Sequence, residues 1–178
     1  MYQGANQEFI EFTNVGGAAV DMSGWSYDDD SRTIGAVNLS AYGLVLPGQS
    51  VLLTESSEAD FRAAWSLSSS VRIIGGLTTN LGRNDEINLF DAVGALADRL
   101  TYGDQNLPGS IRTQTRSGWV MPAGVGQNNI LMWTLAASGD ASGSRVSAGG
   151  DSGNPGVYPF SSFPVPGQQP RNRAVWLS

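Results

Sequence analysis

Apolar and polar positions alternate with a period of two over residues 8–14, EFIEFTN, which predicts a strand whose successive side chains face opposite ways. Phe9 and Glu11 share one face while Ile10 and Phe12 share the other. One face is therefore apolar and the other mixed, the pattern of a sheet packed on another sheet. Gly16 and Gly17 interrupt the run, and a second alternating stretch over 18–27 carries Trp25 near its end. Short apolar runs follow at 37–39 and 44–46, and Pro47-Gly48 turns the chain into a strand at 50–54. Further strands are predicted at 71–74, 86–91 and 97–102, the last two joined as a hairpin through 92–95, with shorter strand pieces at 113–115, 119–120 and 131–135. The single helical signal covers 56–65. Ser56 or Ser57 caps it, acidic residues fill its first turn, and Phe61, Ala64 and Trp65 fall at i, i+3 and i+4. One helix in a strand-rich chain is expected to plug an end of a sandwich, with Trp65 in the core.

The later chain is irregular. Residues 136–153 are dense in Gly, Ser, Ala and Asp, a segment either mobile or pinned to the sandwich wall. Residues 163–170 are Pro-rich and read as an extended linker, after which Ala174, Val175, Trp176 and Leu177 form a short apolar strand signal. The expected organisation is an all-β sandwich of seven to nine strands with one short helical insertion over 1–160, then a linker and terminal strand over 161–178.

Composition narrows the chemistry. A length of 178 residues suits one domain with a proper core. Cys and His are both absent, which removes disulfides, thiolate metal sites, Cys nucleophiles, the commonest general base and every Ser-His arrangement. The net charge is -6 and all ten basic residues are Arg, thinly spread from Arg32 to Arg173. Without a basic face, binding to nucleic acid or an anionic membrane is not expected, and Arg112 with Arg116 read as part of a solvated sheet face. No apolar run approaches the roughly 20 residues of a membrane span, and no signal segment opens the chain.

Several clusters carry possible chemistry. Asp28, Asp29 and Asp30, followed by Ser31, offer oxygens that suit calcium; the competing reading is a solvated acidic loop with Arg32 as its partner. Asp140 and Asp151 offer a second oxygen-rich pair. The turn over 81–85 has one Gly and no following helix, so it reads as a turn rather than a phosphate cradle. Trp25, Trp119 and Trp133 are the aromatics available to a sugar-binding face. Trp119, flanked by Ser117-Gly118 and Pro122, is the one expected to be exposed, and Trp25 is expected in the core. Two carboxylate pairs, Glu8 with Glu11 and Asp85 with Glu86, are the remaining material for hydrolysis, but nothing in the sequence suggests a cleft around them.

Residues 8–14 with Asp21-Met22-Ser23-Gly24-Trp25, then Pro47-Gly48 before the strand at 50–54, the LGRNDEINLFD run at 81–91 and the GDSGNPG run at 150–156, resemble the lamin tail domain, and the likeness spans roughly 2–160. The resemblance implies an immunoglobulin-like β-sandwich. It also implies a non-catalytic protein-binding or tethering module of a secreted or surface bacterial protein, often one that accompanies extracellular hydrolases. Members usually carry another strand before the opening one. Only seven residues precede it here, so either the chain is shortened or that position is filled from elsewhere. The segment 174–177 is a candidate partner-binding strand: it folds back on its own sheet, or it joins another copy to build a homo-oligomer or filament.

Overall fold

The computed structural model describes residues 8–79 and 81–160 in full, and the backbone of residues 176 and 177. Its strands are β1 (Phe9–Thr13), β2 (Val20–Asp21), β3 (Ser26–Asp28), β4 (Val37–Asn38), β5 (Leu44–Val45), β6 (Ser50–Thr54), β7 (Arg72–Ile74), β8 (Asp85–Phe90) and β9 (Leu96–Tyr102). After these come β10 (Gly118–Val120), β11 (Trp133–Leu135), β12 (Arg145–Val146), β13 (Ser152–Gly153) and β14 (Trp176–Leu177), while the helix α1 (Glu58–Trp65) lies between β6 and β7. Two four-stranded sheets dominate, ordered β14-β1-β6-β7 and β4-β3-β8-β9, with ribbons formed by β2-β5, β10-β11 and β12-β13.

Register decides which side chains meet. β1 runs antiparallel to β6 with Ile10 beside Leu53 and Phe12 beside Val51, while Phe9, Glu11 and Thr13 lie beside Thr54, Leu52 and Ser50 on the opposite face. The first set faces the second sheet, where Tyr27 of β3 pairs with Leu89 of β8. The Phe12 and Tyr27 rings meet across the interior at 6.5 Å. Every residue of β1 and β6 is buried, because the outer face of this sheet is covered as well.

Part of that cover is α1. Ser57 caps it, accepting the Asp60 N–H at 3.1 Å, and Ser66 closes it in the left-handed region at φ 50°. Phe61 and Trp65 pack edge-on against Phe9 at 5.3 and 6.0 Å. The helix therefore lies over a sheet face instead of plugging an end. The reason is topological: β6 and β7 are parallel neighbours, and a parallel pair needs a crossover rather than a hairpin.

The rest of the cover is the segment 105–160, which is pinned to the sandwich. The Ala148 N–H donates to the Ala64 carbonyl at 2.9 Å, Arg145 Nη2 to the Trp65 carbonyl at 2.9 Å, and the Gly156 N–H to Glu11 Oε2 at 2.9 Å. Two other expectations shift. The run 18–27 splits into β2 and β3, because Trp25 N–H bonds the Met22 carbonyl in a turn that puts Gly24 at φ +78°. Residues 113–115 form no strand, and β10 begins only at Gly118.

Candidate functional site

The acidic loop is held from within. Asp28 is buried in β3, where its Oδ2 accepts the Ser31 hydroxyl at 2.7 Å and the Thr33 N–H. Asp29 Oδ1 accepts the Ser31 N–H at 2.9 Å, and the Asp30 N–H donates to Asp85 Oδ1 at 3.2 Å. The side chains of Asp28 and Asp29 thus close the turn, while Asp30 is held by its backbone N–H. Among the described residues, no three His, Cys, Asp or Glu side chains gather where they would hold a metal ion. Arg32 forks onto Glu86 at 2.7 and 2.8 Å, with the charge of Asp30 as a lesser influence on it. Glu86 also accepts the Thr101 hydroxyl at 3.1 Å and an Asn88 N–H at 3.2 Å, and the Arg32 guanidinium chiefly holds its carboxyl down at about 2.

β1 contributes two buried carboxylates. Glu8 Oε1 accepts the Leu81 N–H at 2.6 Å, and Asp85 Oδ2 accepts the Gly82 N–H at 2.5 Å. The turn that invites a phosphate-cradle reading therefore already aims both N–H groups at the chain's own carboxylates. Glu11, wholly buried, accepts the Gly156 N–H at 2.9 Å through Oε2, with the Thr13 hydroxyl at 3.5 Å from Oε1. Burial pushes both glutamates up to about 7. Strand parity places Glu8 on the inner face of β1 and Glu11 on the outer, and likewise separates Asp85 from Glu86 on β8. Neither pair flanks a common space, which is what two-carboxylate hydrolysis requires.

Trp119, expected to be exposed, is buried at 7% exposure. Phe160 stacks on it at 5.6 Å, and its Nε1–H donates to Asp140 Oδ2 at 3.1 Å. Trp133 is buried to the same degree. Trp25 is half-buried and, with Phe12, Val20, Met22 and Val45, lines an apolar cavity of about 40 Å³ at the β2-β5 side of the sandwich. The exposed aromatic platform of a sugar-binding face is thus not assembled from these three tryptophans. Asp140 accepts four more donors, from Ala137, Ser142 twice and Ser144, at 2.7–3.1 Å. Burial pushes its carboxyl up, but these hydrogen bonds outweigh it and hold the group down at about 2. Sequence reading marked Asp140 as a cation ligand and missed its role as the knot of the 137–144 loop. The signal was present in the Asp-Ala-Ser-Gly-Ser spacing, which places hydroxyls and N–H groups two and four residues on.

At the far end of the chain, β14 pairs antiparallel with β1, Leu177 opposite Glu11 and Trp176 opposite Phe12. Ala174 and Val175, the other half of that candidate strand, lie outside the described residues. No helix among the described residues is long and apolar enough to cross a membrane.

A family model described as Lamin Tail Domain matches residues 1–104, from the lead-in to β1 through the end of β9. No curated protein and no solved structure matches the chain.

Proposed function

The chain belongs to the lamin tail domain family, an immunoglobulin-like fold of non-catalytic, protein-interacting modules, and from that premise we propose that it is a tethering module of a secreted or surface bacterial protein. The observation that carries the reading is the fate of its carboxylates. Glu8, Glu11, Glu86 and Asp140 all turn their oxygens onto donors of the same chain, at 2.6–2.9 Å in the tightest contact of each. These four fasten loops to the sandwich, which supports a scaffolding use of its buried acids. Contact then falls to the surface, where Met121, Leu131 and Met132 stand exposed around β10 and β11.

The test is in vivo photo-crosslinking from Leu131 in the bacterium of origin, with fractionation. The expected result is a covalent adduct to another protein in the extracellular or envelope fraction. Turnover of chromogenic phosphate or glycoside substrates that disappears in Glu86→Gln would overturn the proposal. A second reading is a structural subunit that self-assembles: Trp176 and Leu177 pair with β1 of their own chain, and exchange between copies would pass that same pairing to a neighbour.

A further inference from the structure

Resting on the self-assembling reading of a protein-contact module, we infer that the outer edge of β1 is the docking surface, and that its occupant is the terminal strand of a second copy of this chain. The argument begins with the sheet edges. A free edge offers unpaired N–H and C=O groups to any extended segment, so folds blunt their edges. The edge of β9 is capped by side chains: the Arg99 N–H donates to Asp98 Oδ1 at 2.8 Å, and the Thr101 N–H to Asn128 Oδ1 at 2.6 Å. β4 is two residues long. β7 is three residues long, and Arg72 ties it to the neighbouring turn through the Tyr42 and Leu44 carbonyls.

β1 differs. It is a full five-residue strand at the heart of the core, yet β14 covers only two of those residues. On the β6 side, Asn14 exchanges hydrogen bonds with Gln49 and Gly48, at 3.0 and 2.7 Å. Antiparallel alternation therefore points the backbone groups of Phe9, Glu11 and Thr13 toward the β14 side. Continued in the register already present, an incoming strand of residues 174–178 would oppose residues 14–10, five against five.

That match is the recognition. The apolar run Ala174-Val175-Trp176-Leu177 is one residue shorter than the five-residue strand it meets and has no charge to desolvate. The strand pairs with its own chain in this structure, and the 15 residues between Phe160 and Trp176, spanning at most roughly 50 Å, are long enough to deliver it to a neighbouring molecule instead. Exchange of an identical element between copies replaces every intramolecular contact by the same contact made between molecules. One-way exchange propagates into a filament, and reciprocal exchange closes a dimer.

Leu177 is the position to perturb, because it opposes Glu11, whose N–H and C=O face the incoming strand. Leu177→Pro in the full chain removes the N–H that would bond to it. The assay is mass by light scattering across a hundredfold concentration range, with amide exchange at Glu11. The expected result is a mass that rises with concentration in the parent chain. Self-association should weaken at least tenfold in Leu177→Pro, and excess synthetic peptide of residues 173–178 should reverse it. A parent chain that stays monomeric, with a Glu11 amide protected only while Leu177 is intact, overturns the inference by placing the strand in its own sheet. Equal oligomers in parent and variant overturn it by placing the contact elsewhere. Both results leave the tethering reading standing, since that one fails on substrate turnover instead.

Discussion

Replacing Glu11 by Gln separates the charge of this side chain from its shape. The carboxyl is fully buried on the outer face of β1, with the Gly156 N–H at 2.9 Å, the Thr13 hydroxyl at 3.5 Å and Ser50 beside it. Burial dominates and lifts the group from 4.5 to about 7, against the smaller pull of those donors, and no charged neighbour contributes. Between those two pH values the folded chain keeps a proton that the unfolded chain has released. Stability is therefore full below pH 4.5 and declines as pH rises through 7, a loss of about 3 kcal/mol at 1.36 kcal/mol per unit. Gln mimics the neutral form: its amide oxygen accepts the Gly156 N–H, and its N–H₂ donates to the Thr13 and Ser50 hydroxyl oxygens. Glu11→Gln should match the parent at pH 4.5 and exceed it at pH 8 by about 3 kcal/mol, roughly 6–10 °C in melting temperature for a chain of this size. Thermal melts at the two pH values measure this. Glu8, lifted to about 7 by its own burial, keeps a residual slope in the variant. A variant less stable than the parent at pH 8 would refute the reasoning, because it would show an ionised carboxylate that the fold favours.

Three further outcomes follow from the same geometry. Asp140→Ala leaves the Trp119 Nε1–H and the N–H groups of Ala137, Ser142 and Ser144 without their acceptor, so it should cost roughly 2–4 kcal/mol and red-shift the tryptophan emission, read by urea melts with fluorescence. Gly153→Ala would place a Cβ 2.8 Å from Ser117 Oγ and 3.1 Å from the Trp65 ring; a loss of about 1–3 kcal/mol is expected, with faster amide exchange over 145–153. The Asp28–Asp30 loop closes on its own Ser31 and Thr33, so the melting temperature should be the same in chelator and in millimolar calcium, and a clear rise with calcium would restore the cation reading.

Much of the fold was legible because alternation is a local property. The run at 8–14, the hairpin of β8 and β9, and the cap at Ser57 each follow from residues within a few positions of one another. What escaped depends on contacts across the chain. Trp119 looked exposed between Gly118 and Pro122, yet Phe160 and Asp140, 41 and 21 positions away, cover it. Arg32 follows three aspartates in sequence but answers Glu86, 54 positions on, because β3 and β8 are neighbours in the sheet. The helix was legible as a helix and misplaced as a plug, since nothing local reveals that β6 and β7 run parallel. Local pattern sets which way a side chain faces; topology sets what it meets.

That distinction explains the mixed face of β1. An alternating strand with Glu on one face ordinarily reads as core inside and water outside, but here the second face is a second interior. Glu11 meets Gly156, Phe9 meets Phe61 and Trp65, and Thr13 meets the Ser50 hydroxyl at 2.7 Å. On this face Glu11 tethers the segment that covers it, while Thr13 bonds its neighbour Ser50 in β6. The family match ends at residue 104, whereas Trp119, Val120, Trp133, Ala136 and Tyr158, all beyond it, join the same hydrophobic core as Phe9 and Trp65. Cutting the chain at 104 would strip Glu11 of its Gly156 donor and Trp65 of its neighbour Gly153, leaving α1 alone over a sheet face built for water exclusion. The unit that folds here is consequently larger than the family module, and β1, covered on two faces and paired along both edges, is the strand through which the added part is joined to it.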